Sequence, residues 1–189
     1  MKYYLRLGLV LLIITSVASG ILAFINSITL PLIQENERRI KAEARREVHP
    51  EAARFDSLTI LNGETVFIAL DKEDQVIGYT LVAMKYGYSS EVKTMVGLNP
   101  DLSINRIKII SQSETPGLGA KCLKTEFQDA FRGLTPTQLQ VDKDGGEIVS
   151  ITGATITTRT VANSIRDAIA NLRQHLDTDT ASGLQEVEE

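Results

Sequence analysis

The way apolar and polar residues alternate divides this chain into segments. No charged residue stands between Arg6 and Glu35, and this almost wholly aliphatic interval exceeds the roughly 20 apolar residues that a bilayer core requires of a helix. Residues 1–33 therefore read as a transmembrane anchor, with Asn26 and Ser27 near one interface. Lys2 and Arg6 flank its first end, and basic flanks stay on the cytoplasmic side. The expected topology is single-pass in the cytoplasmic (inner) membrane, with the N-terminus cytoplasmic and the rest of the chain extracytoplasmic. A cleaved signal peptide ending near Val17-Ala18-Ser19 is the rival reading. Against it, the apolar run continues through Ile25, Ile28, Leu30 and Leu32. From Gln34 to Val48 the pattern turns to Ala, Glu, Arg and Lys, with Glu37 and Lys41 spaced to pair along a helix and Pro50 placed to end it. Residues 34–50 are expected to form a helical stalk.

Residues 58–111 carry strand signals. Thr65–Leu70, Val76–Met84, Val92–Leu98 and Ile104–Ile110 are β-branched or aromatic runs. The polar segment Asp71–Asp74, the break at Gly87 and Ser89-Ser90, and Asn99-Pro100-Asp101 separate them. Short connections without intervening helices predict an antiparallel sheet rather than a doubly wound parallel one. Lys121–Arg132 reads as a helix that buries Cys122, Phe127, Ala130 and Phe131 and stops at Gly133. A short strand near Leu139–Val141, the turn Asp144-Gly145-Gly146 and a last strand from Glu147 to Ile151 follow. Val161, Ala162, Ile165, Ala168, Ile169 and Leu172 then recur at helical spacing. The fold class is α+β: an N-terminal transmembrane helix followed by one extracytoplasmic domain, residues 51–175, with an antiparallel sheet and packed helices. His175 is expected on the surface at the helix end, and the acidic tail 176–189 is expected to be disordered.

Composition narrows the function. A net charge of −4 and a pI near 5.3 argue against a nucleic-acid partner. The single cysteine, Cys122, cannot form an internal disulfide, and it reads as a small core hydrophobe. No Cys/His cluster with metal-ligand spacing occurs, so a metal site is not expected. With only His49 and His175, neither inside residues 50–174, a catalytic triad is not expected either. No dinucleotide-type Gly-rich fingerprint follows any strand.

Two short stretches carry candidate chemistry. Ser150-Ile151-Thr152-Gly153-Ala154-Thr155-Ile156-Thr157-Thr158-Arg159 reads as strand, tight turn and helix start. A helix start offers unpaired N–H groups and the positive end of a dipole, which favour a phosphate. Thr155 and Thr157 add hydroxyls there, and Arg159 a charge that can pair with phosphate. The same residues also suit a plain helix cap. In Ser113-Glu114-Thr115-Pro116-Gly117-Leu118-Gly119, proline fixes one dihedral while Gly117 and Gly119 permit positive φ. That stretch is equally a simple Pro-Gly turn.

Taken together, Thr-Gly-Ala-Thr at 152–155 and Glu-Thr-Pro-Gly-Leu-Gly at 114–119 resemble the paired motifs of the FMN-binding domain family. Its members include the G subunit of Rnf ion-translocating electron transport complexes and the C subunit of the sodium-pumping NADH:quinone reductase. The Asp144-Gly145-Gly146 turn and the N-terminal anchor fit as well, so the resemblance runs from Met1 to about residue 175. It implies FMN held covalently, by phosphodiester linkage, on Thr155. Thr152, Gly153, Ala154 and Thr157 would shape the receiving turn, and Glu114, Thr115, Gly117, Leu118 and Gly119 would contact the flavin ring. It also implies an electron carrier without catalytic residues of its own. Such a carrier would be one component of an ion-translocating ferredoxin:NAD oxidoreductase, with the other subunits of a membrane redox complex as partners and a flavin transferase for maturation. The family has Asp three residues before the motif, where this chain has Val149. Two other functions remain open: a membrane-tethered assembly module without flavin, and a flavin domain of another extracytoplasmic electron-transfer system.

Overall fold

The computed structural model describes residues 2–60 and 63–185, with the side chains of the last helix described through Thr178. Helix α1 spans Lys2–Val48. Among the described residues it is the helix long and apolar enough to cross a membrane. The chain separates into two compact units, Met1–Ile40 and Lys41–Glu189.

In the second unit, β1 (Arg54–Thr59), β2 (Thr65–Leu70), β3 (Val76–Tyr86), β4 (Glu91–Leu98) and β5 (Ile104–Ser111) form a sheet in sequential order. Every neighbouring pair is antiparallel. Side-chain chemistry sets the turns. Asp71 Oδ1 accepts from the N–H groups of Glu73 (2.8 Å) and Gln75 (2.9 Å) at the β2–β3 corner. Asp101 Oδ1 accepts from the Ser103 N–H (3.0 Å) and hydroxyl (2.6 Å) at the β4–β5 corner. Strand β4 is covered on both faces: Val92, Val96 and Leu98 belong to the main core, while Met95 packs with Ala44 and Val48 of the last turns of α1.

The main core lies between the sheet and helix α3 (Thr155–Gln185), whose Val161, Ala162, Ile165, Ile169 and Leu172 are buried as the spacing predicts. Ala168 is partly buried against the same core. Continuing that stripe by three residues reaches His175, which is 8% exposed rather than on the surface. The helix runs on to Gln185, through part of the segment expected to lack structure. Extending a formed helix costs far less than starting one. Residues 186–189 lie outside the described residues.

One strand, β1, lies largely ahead of the residues with strand signals, and two regions, 121–132 and 139–151, depart from the expected elements. β1 carries no apolar alternation, and its pairing with β2 places it at the sheet edge. The run from Glu147 to Ile151 forms no strand. It contributes one parallel bridge, Val141 to Ile148, which also replaces the short strand expected near Leu139–Val141. The outer edge of β5 is already engaged: the Ile104 N–H donates to the Leu134 carbonyl and the Ile109 N–H to Gln128 Oε1. The helix expected over Lys121–Arg132 is split into a 3-10 turn, Gly119–Leu123, and α2, Thr125–Asp129, with Lys124 extended between them. Gln128 fixes that break by donating to the Leu123 carbonyl at 2.8 Å. Cys122, Phe127 and Phe131 are buried, but Ala130 faces out.

Candidate functional site

The site begins at the turn that starts α3. The Ala154 N–H donates to the Ile151 carbonyl at 2.8 Å, closing a four-residue turn with Gly153 third at φ +77°. Residues with a β-carbon rarely adopt that φ, which is the reason for glycine here. Thr158 locks the turn from inside the helix. Its hydroxyl accepts from the Ile151 N–H (3.1 Å) and donates to the Ala154 carbonyl (3.1 Å), and that carbonyl also takes the Thr158 N–H. Ala154 has no side-chain oxygen to cap the helix. Among the described residues, the N–H groups of Thr155, Ile156 and Thr157 therefore have no hydrogen-bond partner, and neither does the half-buried Thr155 hydroxyl. Plain Thr capping is thus not what this motif does in the fold.

The second motif reaches the same place through Glu114. Its side chain is 5% exposed. Oε2 accepts the Thr157 hydroxyl at 2.7 Å and the Tyr88 N–H at 3.3 Å, and Oε1 accepts the N–H groups of Ser89 (2.9 Å) and Ser90 (3.0 Å). Burial pushes the Glu114 carboxyl up. The Thr157 hydroxyl and the N–H groups of Ser89, Ser90 and Tyr88 outweigh burial and hold it below the usual carboxylate range. Gly119 passes directly beneath. A β-carbon there would lie 2.7 Å from Thr157 Oγ1 and 2.8 Å from Glu114 Oε2. Gly117 supplies the positive φ of the loop, +77°, and Gly119 supplies room instead. Leu118 is 43% exposed, and its Cδ2 stands 3.0 Å from where a β-carbon on Gly153 would be.

These contacts enclose a cavity of about 400 Å³ lined by Tyr88, Glu114, Thr115, Leu118, Gly119, Gly153, Ala154, Thr155, Ile156 and Thr157. Its size falls within the roughly 300–1,000 Å³ of small-molecule pockets. Both motifs singled out in the sequence contribute to its wall. Thr152 and Gly117 sit in the adjoining turns, outside the lining.

Arg159 does not reach the cavity as a free charge. Its guanidinium makes two 2.7 Å bonds to the Asp144 carboxylate. This pairing raises the Arg159 pKa and lowers that of Asp144. Beside it, Asp142 accepts from the N–H and hydroxyl of Ser150. Asp142 and Asp144 thereby brace the two flanks of the Thr155 turn, at Ser150 and Arg159. Sequence reasoning missed Tyr88 and Ile156. Ile156 had a signal, since it lies off the apolar stripe of α3 and is 50% exposed. Tyr88 had none beyond its place in a turn.

Comparison with known proteins agrees with this geometry. Residues 87–170 match the FMN-binding domain model, a span that contains both motifs. The G subunit of the Na(+)-translocating ferredoxin:NAD(+) oxidoreductase complex of Acetobacterium woodii is 33% identical over 189 residues, covering 89% of this chain and 91% of that protein. The G subunit of the proton-translocating ferredoxin:NAD(+) oxidoreductase complex of Clostridium ljungdahlii is 32% identical, covering 84% and 86%. In structure, the chain is similar to the C subunit of the Na(+)-translocating NADH-quinone reductase of Parabacteroides distasonis, with a TM-score of 0.51 at 25% identity over 60% of this chain and 62% of that one. The chain belongs to the family of FMN-binding-domain proteins that form the G subunit of ion-translocating ferredoxin:NAD oxidoreductase (Rnf) complexes.

Proposed function

We propose that this protein is a membrane-anchored flavoprotein electron carrier, with FMN esterified through its phosphate to Thr155, working within an ion-translocating ferredoxin:NAD oxidoreductase complex. One observation carries the reading. An unbonded Thr155 hydroxyl and three unbonded N–H groups at a helix start open into the cavity that the Glu114–Gly119 loop completes. The residues fit the group. The N–H groups of Thr155, Ile156 and Thr157 suit a phosphate oxygen. Gly153 and Ala154 keep the backbone low beside it, while Leu118, Ile156 and Thr115 line the space a flat ring would fill.

When bound, FMN supplies reversible electron transfer, and the protein contributes binding, orientation and electrostatics. Glu114 holds the two motif segments together and puts a negative charge in the cavity wall. Such a charge disfavours adding electrons to a nearby ring, which sets the direction of tuning. Residues 1–33 tether the domain to the membrane and 34–40 continue the helix as a spacer, while the turns from Lys41 onward belong to the folded unit and pack on its sheet. With Lys2 and Arg6 cytoplasmic, the flavin domain is extracytoplasmic. The other members of the complex would exchange electrons with it, and a flavin transferase would attach the cofactor.

Val149, 73% exposed where the family has Asp, favours a second reading: an assembly module that never receives flavin. Producing the chain together with a flavin transferase separates the two. The proposal expects yellow protein whose flavin absorbance survives denaturation and gel filtration. Colourless protein would leave the assembly reading.

A further inference from the structure

On the reading that this cavity receives the flavin, we infer that Tyr88 is a ring-positioning residue whose phenol packs directly on the isoalloxazine. Tyr88 lines the cavity, yet 69% of it is exposed. Its side chain makes no hydrogen bond or ring contact among the described residues. An aromatic side chain has roughly 150–250 Å² of surface that gains from being covered. Leu118 and Ile156, 43% and 50% exposed, share the cavity with it. One flat conjugated ligand would cover all three.

The backbone of Tyr88 is not free to wander. Three successive N–H groups, of Tyr88, Ser89 and Ser90, donate to the Glu114 carboxylate. The Gly87 N–H donates to the Ser90 carbonyl at 2.7 Å, and the Tyr86 hydroxyl donates to the Ser89 carbonyl at 3.0 Å. The same carboxylate is bonded to Thr157, two residues from Thr155. One hydrogen-bond network therefore fixes the aromatic platform relative to the attachment point. A surface tyrosine serving only solubility would not need its turn fastened to a buried carboxylate.

The test uses the full chain loaded with FMN, as wild type, Tyr88→Phe and Tyr88→Leu, compared by time-resolved flavin fluorescence and midpoint potential. A phenol touching the excited flavin gives it an electron and takes it back, which shortens the lifetime. The inference expects a several-fold longer lifetime in both variants. It also expects the potential to stay near wild type in Tyr88→Phe, which keeps the ring contact, and to shift in Tyr88→Leu. Equal flavin content with unchanged lifetimes and potentials in both variants would overturn it. Unchanged lifetimes with slower electron exchange in native membranes would make Tyr88 a partner contact instead and would also overturn it. Wild-type protein without flavin would fell the flavin reading first, and this inference with it.

Discussion

The Thr157 hydroxyl donates to Glu114 Oε2 at 2.7 Å, joining two segments 43 residues apart in sequence. That bond turns two short motifs into one site. Thr157 lies 1% and Glu114 5% exposed, so the pair is shielded from competing water.

Glu114 makes acid sensitivity a direct consequence of this arrangement. Its folded pKa is depressed, with hydrogen bonds from Thr157 and the Ser89, Ser90 and Tyr88 N–H groups outweighing burial. Its stabilisation is therefore full above the unfolded carboxyl value of about 4.3 and is lost as pH falls through the folded value. Glu114→Ala should cost about 2–3 kcal/mol near neutral pH, because it leaves buried donors unpaired. Urea unfolding from pH 3 to 7 checks both points. Glu114→Gln should flatten the acid limb, and an unchanged limb would exclude Glu114 as its source.

Gly119→Ala should damage the site from beneath. The new β-carbon would stand 2.7 Å from Thr157 Oγ1 and 2.8 Å from Glu114 Oε2, so that pair must separate. Overpacking of this kind costs about 1–3 kcal/mol. Thermal unfolding should report the loss, together with poorer flavin incorporation. Full incorporation at wild-type stability would show that the bond is dispensable.

Cys122 should be chemically silent in the folded protein. Burial first, and the charge of Glu114 second, push its thiol up to about 11. The reactive thiolate is thus scarce at neutral pH. Iodoacetamide should label it only after urea unfolding, as read by mass. Prompt labelling of native protein would show that the thiol is accessible.

Two isoleucines of α3 should behave oppositely. Ile165 is fully buried in the core, and its replacement by Ala should cost about 2–5 kcal/mol in urea unfolding. Ile156 is 50% exposed at the cavity, so Ile156→Ala should change stability by less than about 0.5 kcal/mol and weaken flavin retention instead. Equal destabilisation by both would contradict the division of α3 into a core face and a site face.

How much is legible in the sequence follows from which forces act locally. β2 to β5 and the buried stripe of α3 show in it because apolar periodicity records burial directly. β1 does not: Arg54, Asp56, Ser57 and Thr59 are exposed at the sheet edge, and pairing with β2 defines the strand. His175 is legible by spacing, being three residues past Leu172 on the same stripe, although its residue type points to the surface. The two motifs locate the cavity. What the sequence does not carry is where charges end up. Arg159 reads as available for phosphate, yet its guanidinium is engaged by Asp144 through two bonds. Glu114 lines the cavity as the motif suggests, and its oxygens also accept from two hydroxyls and three backbone N–H groups, a tertiary outcome that no local pattern encodes.

The central claim concerns the Thr155 oxygen, and peptide mass mapping of protein purified from its native membrane tests it most directly. The peptide containing Thr155 should be heavier than its sequence by one FMN less one water, and Thr155→Val should abolish the addition while unfolding like the wild type, since that hydroxyl makes no bond to lose. An unmodified Thr155 peptide in native material, or the added mass on Thr152 or Thr157, would contradict the account.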